Sequence, residues 1–466
     1  MKRSTTDIKF STLLIMIIPL AGLLSCKKFV TVDPPKDQLT ETTVFSSDED
    51  ATSAVRGMYS EIVSSFNNIG NGALTLYPAL SADELSTTSA NATYDPFVSN
   101  SLLATDGKVY GAFWVRGYFH IYQANAIIKN LANSKALTPK VKDQLIGEAK
   151  FMRAFFNFYL VNLFGSIPLI TETDYSNNAV LARTDIALVY QQIEKDLLDA
   201  QGLLTPSYPT PEKVRVNYWS ATALLSRVHL YLKDWTRAEA EASRIINSGS
   251  YQLTTIDSVF VPNNSEAILE FLPPLSAGIN TAEGFDFIPA SASSIPVFKL
   301  TSSLLAAFET GDARKTKWTK TNIVNGTSYI YPYKYKVRTA TAGVARMEYY
   351  IVLRLAEQYL IRAEARAQQD NLSGSLSDLN QVRTRAGLNS FTASDKASIL
   401  SGIEKETQVE YFTEWGHRWL DLKRTGRADA VLSQAKGSNW QSTDQLYPVP
   451  QAELNTNPSL TQNPGY

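Results

Sequence analysis

Along most of this chain apolar residues recur at spacings of three and four, and the segments that carry this period come in pairs joined by a few residues. A period near 3.6 gathers apolar side chains on one stripe of a helix, and a short connection forces two such helices into antiparallel contact. The clearest pair runs from about Lys108 to Leu131 and from Pro139 to Phe164. Phe113, Val115, Phe119, Ile121, Tyr122, Ala126, Ile127 and Leu131 line a broad face of the first. The second has Pro139 in its first turn, where a missing N–H costs nothing, and is stopped by Gly165 and Pro168. An opening helix is expected behind Ser47, with Asp50 completing a capping-box-like start before Ala51, Ala54, Val55, Met58, Tyr59 and Ile62. The pattern recurs at Val189 to Leu204, at Tyr218 to Leu232 with Trp235 to Ile246, and at Tyr349 to Ala367 with Ser375 to Ala386. Irregularly spaced pairs of this kind predict a solenoid of helical hairpins.

The segment from Trp219 to Ala242 sharpens that expectation. Small Ala221, Ala223, Ala238 and Ala242 permit close helix approach, while Trp219, Leu224, Tyr231 and Trp235 fill the layer between. It is similar to a tetratricopeptide unit, though the consensus Gly and terminal Pro are missing; a generic helical hairpin fits this segment as well. Elsewhere the texture changes. Residues 67–106 are rich in Asn, Gly, Ser and Thr and read as a long loop. Between about 247 and 345, Gly, Pro, Ser and Asn punctuate short stretches such as Ile268–Phe271 and Tyr329–Tyr335, which read as short strands within a loop-rich insert. The expected fold is mainly α: tetratricopeptide-like hairpins packed against a loop-rich, irregular half with few short strands.

Charge and rare residues exclude several classes. The 466 residues carry 44 Lys plus Arg against 45 Asp plus Glu, which leaves no basic excess for nucleic acid. One cysteine forbids an intrachain disulfide or a CxxC site, and three widely spaced histidines without HExxH predict no metal centre. The cysteine has its own context. Lys2, Arg3 and Lys9 precede an apolar run, Leu13 to Leu24, too short to span a bilayer but suited to a signal peptide. The run ends Leu23-Leu24-Ser25-Cys26, which resembles a bacterial lipobox. Residues 1–25 are therefore expected to be a lipoprotein signal peptide, Cys26 the lipidated residue, 26–40 a tether stiffened by Pro34 and Pro35, and 41–466 a single domain. Removing residues 1–25 leaves 41 basic against 44 acidic residues, a mildly acidic chain held at a membrane by lipid.

Four motifs in the last third carry a resemblance: Leu353 to Arg366, Asp378 to Gly387, Glu414 to Arg424, and Tyr447-Pro-Val-Pro450 with Asn457-Pro and Gln462-Asn-Pro-Gly465. Together with the lipobox and the Asp33-Pro-Pro tether, they closely resemble the SusD/RagB family of surface nutrient-binding lipoproteins of Bacteroidetes. The sequence departs from that pattern at Thr407, where the family often carries Arg. The resemblance implies a helical fold with tetratricopeptide-like hairpins, an oligosaccharide ligand, an outer-membrane location facing the cell exterior, and a TonB-dependent transporter of the SusC type as partner. It implies capture of the ligand without cleavage, and no cofactor.

The motif residues themselves read as structural. Glu357 with Arg354, and Arg362 with Arg366 and Glu364, look like helix-face charges, with Asp421, Arg418 and Arg424 tying the last helix to them. Glycan capture calls for other chemistry: flat aromatic faces for the C–H surfaces of sugar rings, with amides and carboxylates for their hydroxyls. Two regions offer it. One holds Tyr77, Asp83, Asn91, Tyr94 and Phe97; the other holds Phe285, Asp286, Phe287, Trp318, Asn322, Tyr329 and Tyr331. No GxSxG, P-loop or GxGxxG occurs, and adjacent Asp83 and Glu84 point apart in most backbones, so an enzyme is not expected. The alternative is a tetratricopeptide-type scaffold lipoprotein that binds protein or peptide partners, recognisable by a peptide groove lined with helix residues.

Overall fold

Ser47 opens the first helix as expected, its hydroxyl accepting from Asp50 N at 3.1 Å. Helix α1 (Asp48–Ile62) buries Ala51, Val55, Met58 and Ile62. The computed structural model describes residues 44–275 and 278–466; the signal segment, Cys26 and the tether lie outside the described residues. All elements below belong to the unit Phe45–Tyr466.

Part of the expected 67–106 loop is a helix. In α2 (Gly72–Ser81) every residue is buried, so the segment has no polar stripe to reveal a helical period, and Gly72 and Pro78 resemble loop punctuation. The first predicted pair is present with one modification: a π-helical stretch, Val109–Val115, leads into α3 (Arg116–Asn133). It packs on α4 (Pro139–Phe164), which from Phe151 to Val161 is buried on all sides and forms the axis of the core. Helices α5 (Ile186–Leu203), α6 (Tyr218–Tyr231) and α7 (Trp235–Asn247) follow, each against its predecessor. Asn217 caps α6 in a reciprocal box with Ser220. Helix α7 then packs on α8 (Leu355–Gln368), although about a hundred residues of insert lie between them. The solenoid continues through α9 (Leu372–Arg385) and α10 (Lys396–Tyr411), and closes with α11 (His417–Arg424) and α12 (Ala428–Lys436).

The expectation of one helix from Tyr349 to Ala367 needs correcting. Tyr350–Arg354 is a fully buried strand, consistent with its Ile-Val pair. Six short strands occur among the described residues: β1 (Leu85–Thr87), β2 (Ala267–Phe271), β3 (Phe298–Leu300), β4 (Thr319–Val324), β5 (Thr327–Pro332) and β6 (Tyr350–Arg354). They form three antiparallel pairs, β1 with β3, β2 with β6, and β4 with β5. The last is a hairpin whose Asn325-Gly326 turn has φ of 51° and 76°, which matches the twist of the flanking strands.

Buried ion pairs fasten the insert to the frame, and their partners differ from the sequence reading. Arg354 donates to Glu414 (3.0 Å from Nε and from Nη2), to Glu266 (2.9 Å) and to Glu410 (2.5 Å), and lies 3.9 Å from the Tyr411 ring centroid. Arg314 pairs with Asp312, Glu406 and Glu410. Glu357 pairs with Arg227 of α6 instead of Arg354, and Arg362 with Asp378 of α9. Arg424 does tie α11 to α8, through Glu364 at 2.7 Å, whereas Arg418 reaches Asp83. These motif charges join elements that are remote in sequence. The terminal segment is bonded into the frame: Tyr447 N donates to Leu163 O, and the buried Asn463 amide donates to Phe164 O and Tyr447 O.

Candidate functional site

The π-helical stretch has a local consequence. Ala112 O accepts a hydrogen bond at 2.9 Å from Ile69 N of the loop between α1 and α2. That loop is braced from within: Asn68 N donates to the Asn71 side chain (2.9 Å), and the Asn68 and Asn71 amides both donate to Ser65 O (2.7 Å each). Asn67, at φ 51°, donates to Asp286 Oδ2 at 2.8 Å. The bracing leaves Phe66 outward and 46% exposed.

Opposite stands the turn Ala282–Phe287, capped by the Thr281 hydroxyl, which accepts from Gly284 N. It presents Phe285, whose ring meets Phe66 edge to face at 5.4 Å. The Arg338 guanidinium lies 4.2 Å from the Phe285 centroid and is held by Ile288 O. The two rings border a cavity of about 320 Å³, whose wall also includes Val63, Asn71, Pro274, Ile279 and Tyr350. Apolar rings and an amide around a concave opening, with a guanidinium against one of the rings, suit a ligand with flat C–H faces and hydroxyls.

Carboxylates lie beneath. Burial pushes Asp286 up to about 7, against the pull of Asn67, Lys108 and Arg338. Burial likewise pushes Glu283 up to about 7, with Thr75 donating to it at 3.0 Å. Tyr94 titrates above the ordinary tyrosine value, through burial first and the Asp286 charge second. Its half-buried ring meets Phe298 at 4.8 Å. Two regions of sequence nearly two hundred residues apart thus converge at Asp286.

Several expected ligand residues are core residues instead. Tyr77, Phe97, Phe287, Trp318 and Tyr331 are each at most 4% exposed. Tyr77 packs against Phe97 at 4.6 Å and Phe113 at 5.7 Å, and Trp318 donates to Ile256 O at 2.9 Å beneath the Lys334 ammonium. A half with few backbone ladders builds its interior from aromatic rings, so these rings are not available for stacking. Asp83 is buried and occupied by Arg418 (2.8 and 3.0 Å), and buried Asn322 donates to Ser291 O and Ser294 O. Asn91, Tyr94, Phe285 and Tyr329 keep partial exposure. Phe66, Asn67 and Arg338 were not anticipated; an aromatic followed by Asn-Asn before Gly70 and Gly72 is the local signal that marks Phe66.

A helical-repeat frame carrying a pocket on a loop-rich insert is the class of protein defined by this geometry. Residues 28–230 match a family described as "Starch-binding associating with outer membrane", and residues 302–466 match the SusD family. The chain belongs to the SusD/RagB family. It is similar to SusD-like protein P25 of Formosa agariphila, 24% identical over 98% of each chain. Its fold is similar to that of a SusD superfamily protein from Bacteroides vulgatus (TM-score 0.79, 22% identity, 91% of this chain and 100% of that one). It is also similar to a solved laminarin-binding SusD-like protein (TM-score 0.75, 26% identity, 90% and 99%). No helix among the described residues is long and apolar enough to cross a membrane.

Proposed function

We propose that this protein is a lipid-anchored outer-membrane protein that captures an oligosaccharide at the cell surface and delivers it to a TonB-dependent transporter of the SusC type. The observation that carries the reading is the Phe66–Phe285 ring pair, with Arg338 above and Asn67 beside it, at the mouth of a cavity in a SusD/RagB chain. Relatives described as starch-binding and laminarin-binding support the ligand class. Binding proceeds by stacking and hydrogen bonds, without cleavage. In keeping with that, Asp83 is occupied by Arg418, and Glu84 is buried beside Thr413 N and pushed up to about 8 by burial and by Asp83.

The test is calorimetric titration of the chain from Lys27 onward against laminari-, malto- and cello-oligosaccharides, with chromatography of each mixture. Saturable heat without new products is expected, and Phe285→Ala should weaken it roughly tenfold, as expected for the loss of one stacking ring. Heat from no saccharide removes the glycan reading, and new products remove the non-enzymatic one.

A further inference from the structure

We infer that the helical frame holds a second saccharide site, separate from the pocket on the insert. A cavity of about 620 Å³ opens between α7, α8, α10 and α11. It shares no lining residue with the Phe66–Phe285 pocket. Its size falls in the range of small-molecule sites.

Chemistry selects the ligand. Half-buried Trp235 lines this cavity with an indole N–H that has no hydrogen-bond partner among the described residues, beside Leu230, Leu400 and Leu422. The Gln368 amide and the Ser401 and Thr407 hydroxyls also line it, with no side-chain partners among the described residues. A separate cleft of about 20 Å³ shares Thr407 with this cavity and is walled by Tyr411, only 3% exposed, whose hydroxyl has no partner among the described residues. An aromatic face with uncommitted neutral donors and acceptors is what a polyhydroxylated ring requires. The charges, by contrast, are spent on one another. Arg424 pairs with Glu364 (2.7 Å) and Asp421 (2.6 Å), and Glu404 with Arg427 (3.3 Å) and Arg418 (3.5 Å); exposed Lys233 is the exception. A neutral sugar therefore meets no unpaired buried charge, and a peptide would find few side-chain amides to pair its backbone.

The site also continues. Glu404, Gln408, Arg418 and Arg427 line both this cavity and a polar cleft of about 1110 Å³ that runs past Ser302 and Ser328. One trough with an aromatic end and a hydroxyl-rich end suits several linked rings, so the protein would hold a long glycan at two places and gain avidity.

The inference takes its ligand class from the glycan-binding reading, and the test separates the two. The full chain is labelled with 5-fluorotryptophan, and the Trp235 resonance is identified as the one missing from Trp235→Phe. Laminari-, malto- and cello-oligosaccharides are then titrated while fluorine NMR and calorimetry are followed together. The expected result is a saturable shift of the Trp235 signal that survives Phe285→Ala and whose midpoint rises about fivefold in Gln368→Ala, with melting unchanged. Heat from a saccharide with a motionless Trp235 signal overturns the second site and spares the first. A shift abolished by Phe285→Ala overturns it as well, and a shift with hydrolysed casein alone assigns the trough to peptides and overturns the saccharide. Neither heat nor shift with any saccharide removes both readings.

Discussion

Arg354→Met removes one of the residues that join the insert to the frame. Arg354 stands at the end of β6, its side chain 2% exposed, and donates five hydrogen bonds to the Glu266, Glu410 and Glu414 side chains and the Glu410 carbonyl. Breaking a buried pair by deleting one partner costs about 3–5 kcal/mol, because the other charge is left uncompensated. Here each carboxylate keeps another cation: Glu414 has Lys334 at 2.5 Å, Glu266 has Arg385 at 2.9 Å, and Glu410 has Arg314 at 2.9 Å as well as Arg385. The lower end, about 3 kcal/mol, is therefore expected, out of a typical total of roughly 5–15 kcal/mol. Equilibrium unfolding in urea, followed by near-ultraviolet dichroism, reads the loss. The same network sets a pH signature. Burial alone would raise Glu410, but Arg385, Arg354 and Arg314 outweigh it and hold the carboxyl far below the usual range. A carboxyl depressed on folding stabilises above its unfolded value, and that stability disappears as pH falls. Arg354→Met should therefore move the acid-unfolding midpoint upward, and adding Glu410→Gln should cost less than the sum of the two single changes. A loss under about 1 kcal/mol, with additive double substitution, would refute the claim that these charges hold the insert in place.

Glu283 lies beneath the insert pocket and carries the opposite sign. Its carboxyl is raised from 4.5 to about 7 by burial, so between those values the folded chain binds more protons than the unfolded one and stability falls as pH rises. Glu283→Gln should remove a slope on the order of 3 kcal/mol at most, read from urea midpoints on either side of that window. Gly284→Ala would set a Cβ 2.3 Å from the Val337 carbonyl oxygen, so the turn bearing Phe285 must shift. A destabilisation of about 2 kcal/mol in thermal unfolding is expected together with weaker glycan binding, and unchanged affinity would separate that turn from the site.

The frame was legible because most of its helices are amphipathic: α1, α3 and α7 each bury one stripe at the expected spacing, and short connections fix antiparallel neighbours. Legibility ended where complete burial meets a short element: α4 and α6 are buried all round but long and clearly bounded, whereas α2 and β6 are not. Helix α2 has no polar face, so its ten residues carry no period, and β6 merges into α8 because both are apolar. The motif charges were rightly read as structural, but near neighbours such as Arg354 and Glu357 were paired by sequence distance. The change from strand to helix between Arg354 and Leu355 sends one toward α10 and the other toward α6.

The aromatic residues of the chain show why composition located the chemistry without locating the site. Both a loop-rich core and a sugar platform call for Trp and Tyr, and neither leaves a spacing by which to tell them apart. For phenylalanines only burial separates them; for several rings that carry a donor, the partner of that donor is a further mark. Trp318 spends its N–H on Ile256 O, Trp415 on Ile351 O, and the Tyr447 hydroxyl meets Ser81, which are the marks of rings that must satisfy a donor inside protein. Phe66 and Phe285 have no donor to satisfy and meet each other beside open space, and Trp235 keeps its N–H uncommitted at the edge of a cavity. Hydrogen-bond partnership of this kind depends on contacts between residues tens to hundreds of positions apart, and so it becomes readable only once the helices have brought them together.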